Sequence, residues 1–218
     1  MCLIVVATPT KIKSLLDNTP FLDSVVQWNN DGVGVMAYAP KSRLPLTWRK
    51  EISSVSGIEM LKKFVQKYAY AESIAIHFRM RTHGDTTINN VHPFVSSHAK
   101  NDKVVLMHNG ILWPFCLEAT GEASDTKLFV ENVINKLPTE SIFHQEILKG
   151  LEISITKDNT MVLAHEEFGF RILNQDIGFM HNDVWFSNAY AFNLSTLSIG
   201  RIKTDSGENM FAHRAYPF

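Results

Sequence analysis

The chain opens with the stretch MCLIVVA, residues 1–7, which sets the first constraint on the fold. The run from Leu3 to Ala7 is short, apolar and rich in β-branched residues, a pattern that predicts a buried strand. No basic region precedes the run, and it is shorter than the apolar core of a signal peptide, so we expect it to stay in the folded protein. Cys2 would then lie at the head of a buried strand.

The order of the remaining predicted elements favours the α+β class. Beyond the first, strands are predicted at residues 33–38, 73–78, 103–107, 152–156, 161–165, 170–173, 184–187 and 197–199. Helices are predicted from a capping box of Ser56 and Glu59, from Ser124 to the break at Pro138, and around residues 142–150. Strands, then helices, then strands do not alternate as βαβ units do, so we expect antiparallel sheets.

A turn signal of Asn-Asn-Asp-Gly at residues 29–32 introduces the second strand. Gly34 then lies inside that strand. A glycine there marks either a simple bulge or the close approach of another backbone or a ligand, because it has no side chain to fill the space.

The composition is that of an ordinary globular protein. Hydrophobic residues make up 45% of the 218 residues and charged residues 20%, which argues against disorder and coiled coils. The formal net charge is -1, so no overall field attracts the chain to nucleic acid or an anionic membrane, and no apolar run is long enough to span one. With no repeat or linker, we expect a single domain over residues 1–218. The two cysteines are too few for a disulfide framework, which favours a reducing, cytoplasmic location.

Cys2 is the first candidate for chemistry. Its small side chain allows the initiator methionine to be trimmed, which would leave a thiol and a free α-amino group on one residue. The thiolate is the nucleophilic form, and an α-amino group titrates near ~7.7–8.0, so it can take up the thiol proton near neutral pH. A small buried residue without a chemical role is the alternative.

A polar loop follows the strand predicted at residues 73–78. It reads HFRMRTHG, residues 77–84, and ends in a glycine turn. Arg79 can bind a carboxylate through two parallel hydrogen bonds, and Thr82 and His83 can add polar contacts beside it. A solvated basic loop is the alternative.

Two further segments carry residues suited to a binding site. Asn109 and Gly110 follow a predicted strand, and a side-chain amide with a glycine N–H is a suitable donor pair for a developing oxyanion. Asn-Gly is also the commonest hairpin turn. Asp125 begins a predicted helix, where it could cap the helix or offer a carboxylate to a substrate ammonium.

Five histidines within a short stretch raise the question of a metal site. They are His77, His83, His92, His98 and His108. No pair has the i, i+4 spacing of a helical zinc motif, and the stretch contains neither cysteine nor glutamate. We therefore expect no metal. Because no GxGxxG or Walker A pattern occurs, we also expect no nucleotide cofactor.

Taken in chain order, these residues resemble the class II glutamine amidotransferases, whose glutaminase domain has an N-terminal nucleophile. In that family an N-terminal cysteine attacks glutamine, which is like Cys2 here. The motifs that match are the family's H-x-R-x-x-T-H-G loop at His77, Arg79, Thr82, His83 and Gly84, its Asn-Gly pair at Asn109 and Gly110, and its Ser-Asp-Thr segment at residues 124–126.

The resemblance implies a four-layer αββα sandwich, in which two antiparallel sheets pack face to face between helices. It spans most of the chain but has departures. Met80 stands where the family often has Trp, and residues 185–189 are only loosely similar to the family's late A-S-E-P strand end.

The resemblance also implies a mechanism. Arg79 would hold the α-carboxylate of glutamine and Asp125 its α-ammonium, with Thr82 and His83 in the same substrate-binding loop region. Cys2 would attack the side-chain amide, with its own α-amino group as base. The Asn-Gly pair would hold the oxyanion, and water would hydrolyse the resulting thioester.

The glutaminase domain implied by the resemblance accounts for nearly all of the chain. We therefore expect a separate synthase subunit to receive the ammonia, with Trp113, Pro114 and Phe115 as candidates for an apolar surface near the site. A core role for Trp113 is equally open. A free-standing hydrolase of glutamine or another γ-glutamyl compound is one alternative. A non-catalytic binding or regulatory module is another, against which the intact set of Cys, Arg, Asn-Gly and Asp argues.

Overall fold

The structure, a computed structural model, describes residues 1–99 and 102–197. These residues form ten strands and seven α-helices. The strands are β1 (Leu3–Ala7), β2 (Val33–Tyr38), β3 (Leu46–Glu51), β4 (Ser73–Phe78), β5 (Phe94–Val95), β6 (Val105–Asn109), β7 (Thr160–His165), β8 (Gly169–Leu173), β9 (Phe179–His181) and β10 (Val184–Phe186). The helices are α1 (Pro9–Leu16), α2 (Thr19–Trp28), α3 (Ser54–Lys67), α4 (Trp113–Cys116), α5 (Asp125–Asn132), α6 (Thr139–Ile142) and α7 (Gln145–Ile155).

The strands form two antiparallel sheets. The larger has the order β3-β2-β4-β1-β10-β9, and the smaller has the order β5-β6-β7-β8. β1 pairs with β4 along its whole length, from Leu3 opposite Phe78 to Ala7 opposite Ile74, and its other edge pairs with β10. The N-terminal strand is therefore held on both sides in the interior of the larger sheet.

Three separate hydrophobic clusters divide the fold into four layers. Successive side chains of β1 point to opposite faces of the sheet. Leu3 and Val5 join a cluster beneath helices α1, α2 and α3, whereas Ile4 and Val6 join a cluster between the two sheets. A third cluster packs α5, α6 and α7 against the outer face of the smaller sheet. The layers thus follow the expected order of helices, sheet, sheet and helices.

Gly34 marks a close backbone approach, as one of the two interpretations of the sequence predicts. A β-carbon on Gly34 would lie 1.8 Å from the carbonyl oxygen of His92. Gly34 pairs regularly with Lys50 on one side and His77 on the other, so β2 has no bulge at this point. The segment that contains His92 can therefore pack directly against the larger sheet.

Some predicted elements are wrong. Residues 152–156 are not a strand, because α7 continues to Ile155 and the helical spacing of Leu151 and Ile155 places both in the core. Ser56 and Glu59 do not form a capping box: α3 begins earlier, after Ser53 at the N-cap.

Two boundaries also differ from the predictions. Leu197 ends a 3₁₀-helix, Leu194–Leu197, rather than beginning a strand, and residues 198 and 199 lie outside the described residues. β6 runs two residues later than predicted and ends at Asn109.

Candidate active site

The ends of four strands meet around Cys2. β1 begins directly after Cys2, and its antiparallel neighbour β4 ends at Phe78, directly before Arg79. β10 ends just before Ser187, and β6 of the smaller sheet, which contacts β1, ends at Asn109. Antiparallel pairing thus brings together residues that are far apart in the chain.

The Cys2 thiol is half-buried and donates a hydrogen bond to the carbonyl oxygen of Met80 at 3.3 Å. Burial raises the pKa of the thiol, and nearby Asp125 acts in the same direction. The Met80 hydrogen bond, the chain N-terminus and Arg79 oppose this shift less strongly. Because the thiol is held in its protonated form, attack on a substrate would need a base.

Met1 occupies the position next to this thiol. Its ammonium group contacts the Met80 sulfur at 2.8 Å, and its carbonyl oxygen accepts a hydrogen bond from Asn29 Nδ2 at 2.9 Å. With Met1 in place, the nitrogen of Cys2 is a peptide N–H and has no lone pair with which to take up a proton. Removal of Met1 would convert it into an α-amino group on the same residue as the thiol.

Arg79 is buried and fixed by the loop that follows it. Its guanidinium donates to the carbonyl oxygens of Asp31 at 3.4 Å, His83 at 3.2 Å and Gly84 at 3.4 Å. Burial lowers the pKa of Arg79, and the charges of Cys2 and Asp31 oppose that shift. Since a guanidinium has five N–H groups, Arg79 retains donors for an anionic group.

Asp125 is buried and does not cap its helix. Ser124 takes the N-cap position, and its hydroxyl accepts from the N–H of Lys127 at 3.3 Å. The Asp125 carboxylate instead accepts from the N–H of Leu112 at 2.9 Å and from the N–H of Thr126 at 2.8 Å. A carboxylate has about four acceptor sites, so Asp125 can still accept hydrogen bonds from an ammonium group.

Asn109 and Gly110 do not form a hairpin turn, because the chain continues from β6 into α4. Asn109 is buried, with Nδ2 3.0 Å from Ser187 Oγ, and within residues 1–99 and 102–197 its Oδ1 has no hydrogen-bond partner. Gly110 has a φ of +141°, and a β-carbon there would lie 2.1 Å from Asn159 Oδ1. Both the backbone conformation and the available space therefore require glycine at this position.

Thr82 and His83 lie on the loop that holds Arg79. The Thr82 side chain is exposed, whereas His83 is half-buried and its Nδ1 has no hydrogen-bond partner among the described residues. The structure brings the backbone of His83 to Arg79 directly, as described above.

The segment after Gly110 divides between surface and core. Trp113 is 66% exposed, which excludes a core role for it. Phe115 is half-buried and packs edge-on against Phe129, with ring centroids 5.8 Å apart. Trp113 is therefore more exposed than Phe115 on the predicted apolar surface. Leu117, which is not part of that prediction, is 87% exposed on the same segment.

A buried network behind the site was missed by sequence reasoning. His108 Nε2 lies 2.8 Å from Asn159 Oδ1, and its Nδ1 lies 2.9 Å from Thr126 Oγ1. Asn159 Nδ2 donates to the Ile155 carbonyl at 2.6 Å, so Asn159 Oδ1 is an acceptor and His108 carries its proton on Nε2. Burial lowers the pKa of His108, which keeps the ring neutral.

Sequence reasoning also left the segment after β10 without a role. Ser187 Oγ accepts from the N–H of Ile4 at 2.9 Å, and Asn188 Nδ2 donates to the carbonyl oxygen of Cys2 at 2.8 Å. The only signal available in the sequence was a polar pair directly after a buried strand.

The clustered histidines have a packing arrangement of their own. The rings of His77 and His92 pack against each other with centroids 3.9 Å apart and planes tilted by 32°, and burial lowers the pKa of His77 to about 3. Within residues 1–99 and 102–197, no three His, Cys, Asp or Glu side chains are grouped so that they could hold a metal ion. In the same part of the chain, no helix is both long and apolar enough to cross a membrane.

The chain is similar to known proteins in sequence and in fold. The family of class-II glutamine amidotransferases matches residues 2–137, more than half of the chain. No curated protein matches the chain in sequence. One similar solved structure is a glutamine phosphoribosylpyrophosphate amidotransferase from B. subtilis complexed with ADP and GMP, with 15% identity and a TM-score of 0.52. Another is described as the allosteric regulatory enzyme of purine biosynthesis, with 17% identity and a TM-score of 0.51.

Each of these matches covers 88% of this chain, which in turn spans only 42% of each solved chain. At such low identity the likeness to these two structures concerns the fold alone. The family match rests on the sequence itself and includes Cys2, the Arg79 loop, the Asn-Gly pair and Asp125. The chain therefore belongs to the class II glutamine amidotransferases.

Proposed function

We propose that this chain is a glutaminase that hydrolyses the side-chain amide of glutamine through a thioester on Cys2 and supplies ammonia to an acceptor enzyme. The observation that carries the proposal is the pairing of β1 with β4, which, together with the hydrogen bond from the Cys2 thiol to the Met80 carbonyl at 3.3 Å, sets the thiol beside the segment of Arg79. The charges of Arg79 and Asp125 both act on the pKa of this thiol, and a nucleophile close to a buried cation and a buried anion suits a substrate that carries both charges. The organisation of residues 1–218 as one glutaminase domain is part of the same proposal.

Substrate binding follows from the charges of Arg79 and Asp125. Arg79 would bind the α-carboxylate of glutamine through its remaining N–H groups, and Asp125 would accept hydrogen bonds from the α-ammonium group. Both side chains are buried, and buried charges are costly unless they are paired. Thr82 and His83 would add polar contacts from the loop that fixes Arg79.

The chemical steps would use the α-amino group that removal of Met1 leaves on Cys2. That group takes the thiol proton, the thiolate attacks the amide carbon of glutamine, and Asn109 Nδ2 and the Gly110 N–H bind the oxyanion. The protonated α-amino group then gives its proton to the departing ammonia, which leaves a γ-glutamyl thioester. Water attacks the thioester with the α-amino group again as base, and glutamate is released.

The acceptor is proposed to be a synthase subunit that docks near Trp113. The N–H of Leu112, the residue before Trp113, donates to Asp125, so this segment borders the proposed substrate site. Trp113, Pro114 and Leu117 are all exposed on this one short segment, and a contiguous exposed apolar patch is typical of an interaction surface. A docked synthase would cover the site and limit the loss of ammonia to solvent.

A glutaminase assay with two cysteine variants tests the proposal. The purified chain, confirmed by mass spectrometry to lack Met1, should release glutamate and ammonia from glutamine. Cys2→Ala should abolish this turnover, whereas Cys116→Ala should leave it unchanged, since Cys116 is a half-buried free cysteine outside the site. A glutamine-like diazoketone should label Cys2 and spare Cys116. A chain without Met1 that hydrolyses no glutamine would refute the proposal.

A second variant tests the role of the α-amino group. A lysine inserted between Met1 and Cys2 should block trimming and keep the Cys2 nitrogen in a peptide bond. We expect this protein to fold but to lose glutaminase activity. Full activity in a chain that retains Met1 would exclude the α-amino group as the base.

A further inference from the structure

Ser187 connects the strand of Cys2 to the proposed oxyanion donor. Its hydroxyl oxygen lies 2.9 Å from the N–H of Ile4 in the larger sheet and 3.0 Å from Asn109 Nδ2 in the smaller sheet. Ser187 lies outside residues 2–137, the part of the chain that the family match covers. We propose that Ser187 is a positioning residue that orients the Asn109 carboxamide for oxyanion binding, an inference that rests on the proposed glutaminase function.

The hydrogen-bond capacity of the Ser187 hydroxyl supports this role. A serine hydroxyl has one donor and two acceptor sites. Ile4 N–H and Asn109 Nδ2 both point at this oxygen, and Asn188 Nδ2 lies 3.4 Å from it as a third potential donor. Meanwhile Asn109 Oδ1 is buried and has no hydrogen-bond partner in the part of the chain that the structure describes. Donors therefore exceed acceptor sites at Ser187, while an acceptor on the neighbouring side chain is unused.

A 180° rotation of the Asn109 carboxamide about its last side-chain bond removes both the excess of donors at Ser187 and the unused acceptor on Asn109. The amide oxygen and nitrogen have nearly the same shape, and the hydrogen-bond network decides which is which. After the turn, the Ser187 hydroxyl donates to Asn109 Oδ1. Asn109 Nδ2 then takes the position at which Oδ1 had no partner, and its N–H groups are available to an oxyanion. Such a buried donor is costly to leave unpaired, so a developing negative charge would satisfy it.

Ser187 is itself fixed relative to the nucleophile. Its backbone N–H donates to the Ile4 carbonyl at 2.9 Å, so Ser187 bonds both backbone groups of Ile4, two residues from Cys2. The next residue, Asn188, holds the carbonyl oxygen of Cys2 as described above. The hydroxyl that would orient Asn109 is thus held at a set distance from the residue that would attack.

A double-mutant cycle in the chain without Met1 tests the inference. Asn109→Ala should lower kcat about 10²–10³-fold, the usual effect of removing an oxyanion donor. Ser187→Ala should lower kcat about tenfold with little change in KM, since one orienting hydrogen bond is lost. The double variant should be no slower than Asn109→Ala alone, because Ser187 would act through Asn109. Ser187→Thr keeps the hydroxyl and should restore kcat to within about threefold of the wild type.

Ser96→Ala is the matched control. Ser96 is 3% exposed, as Ser187 is, and its hydroxyl accepts from the N–H of Val104 at 2.9 Å. Val104 directly precedes the start of β6, whereas Asn109 lies at its end. The Ser96→Ala variant should lose about as much stability against urea as Ser187→Ala does, but it should keep the kcat of the wild type. The comparison separates an effect of positioning from an effect of general destabilisation.

The outcomes distinguish this inference from the proposed function. If the wild type hydrolyses glutamine and the losses of Ser187→Ala and Asn109→Ala multiply, Ser187 does not act through Asn109 and the inference is wrong. A wild type without glutaminase activity would refute the proposed function and this inference with it. Should Ser187→Ala fail to fold, the cycle is run with Ser187→Cys, whose thiol is a weaker hydrogen-bonding group; the same criteria then apply.

Discussion

Mild acid should destabilise this protein through the buried histidines between its two sheets. His77 and His92 are at most 6% exposed, and their rings pack against each other at a tilt. Burial lowers the pKa of His77 to about 3 and holds the pKa of His92 well below its ordinary value of 6.5. Both rings are therefore neutral in the native protein at pH 5.5, whereas they would bind protons in the unfolded chain.

The sign and size of the effect follow from this difference in proton binding. The contribution of these neutral histidines to the free energy of unfolding is fully present above pH 6.5. It is lost as the pH falls toward about 3, because only the unfolded chain binds the protons in that range. A histidine with an unfolded pKa of about 6.5 costs roughly 1.2 kcal/mol between pH 7 and pH 5.5. His77 and His92 together cost about 2.5 kcal/mol, a large part of the ~5–15 kcal/mol that stabilises a typical domain.

Replacing the His92 ring isolates its share of the stability that is lost between pH 7 and pH 5.5. Neither ring nitrogen of His92 has a hydrogen-bond partner among residues 1–99 and 102–197. The ring contacts the Phe94 ring edge-on, with centroids 4.8 Å apart, so His92→Phe should keep the aromatic packing without a titrating group. Urea unfolding at pH 7 and pH 5.5 should show that the variant loses about 1 kcal/mol less than the wild type between the two pH values. An equal loss in both proteins would mean that His92 is not kept neutral by burial, and the reasoning would fail.

The proposed site gives further predictions, each read from purified protein without Met1. Arg79→Ala should raise KM for glutamine more than it lowers kcat, because a carboxylate clamp binds the ground state and the transition state alike. A change confined to kcat would argue against that clamp. Gly110→Ala should lower both stability and kcat, because its β-carbon would overlap Asn159 Oδ1 at 2.1 Å and displace the neighbouring Asn109. Trp113→Glu should keep basal glutaminase activity and abolish stimulation by a synthase subunit; unchanged stimulation would place the docking surface elsewhere.

The fold could be predicted well where the local pattern has one interpretation. β1, β2 and β4 lie at the predicted positions, because short apolar runs bounded by turn signals fit buried strands. Residues 152–156 fit two patterns. Ile153 alternates with its neighbours as in a strand, yet in α7 it is 80% exposed while Leu151 and Ile155 face the core. Only packing against the smaller sheet decides between them.

The sequence yields candidate site residues where one residue type at the end of an element suggests its own chemistry, as with Cys2 and Arg79 at strand ends and Asp125 at a helix start. Contacts between residues far apart in the chain could not be predicted. Asn109 and Ser187 are 78 positions apart, and His108 and Asn159 are 51 positions apart. No local spacing relates such pairs, because the packing of the two sheets brings them together.

The proposed glutaminase chemistry depends on the contacts between the two sheets, because its residues come from both of them. Cys2 and Arg79 belong to the larger sheet, whereas Asn109 ends a strand of the smaller one. Two hydrogen bonds join the sheets beside the site: His77 Nε2 donates to the carbonyl oxygen of His108 at 3.0 Å, and Ser187 contacts Asn109 at 3.0 Å. These bonds come from the two segments that flank β1, namely β4 and the end of β10. The distance from the Cys2 thiol to the proposed oxyanion donor is therefore set by how the two sheets pack, and neither sheet fixes it alone.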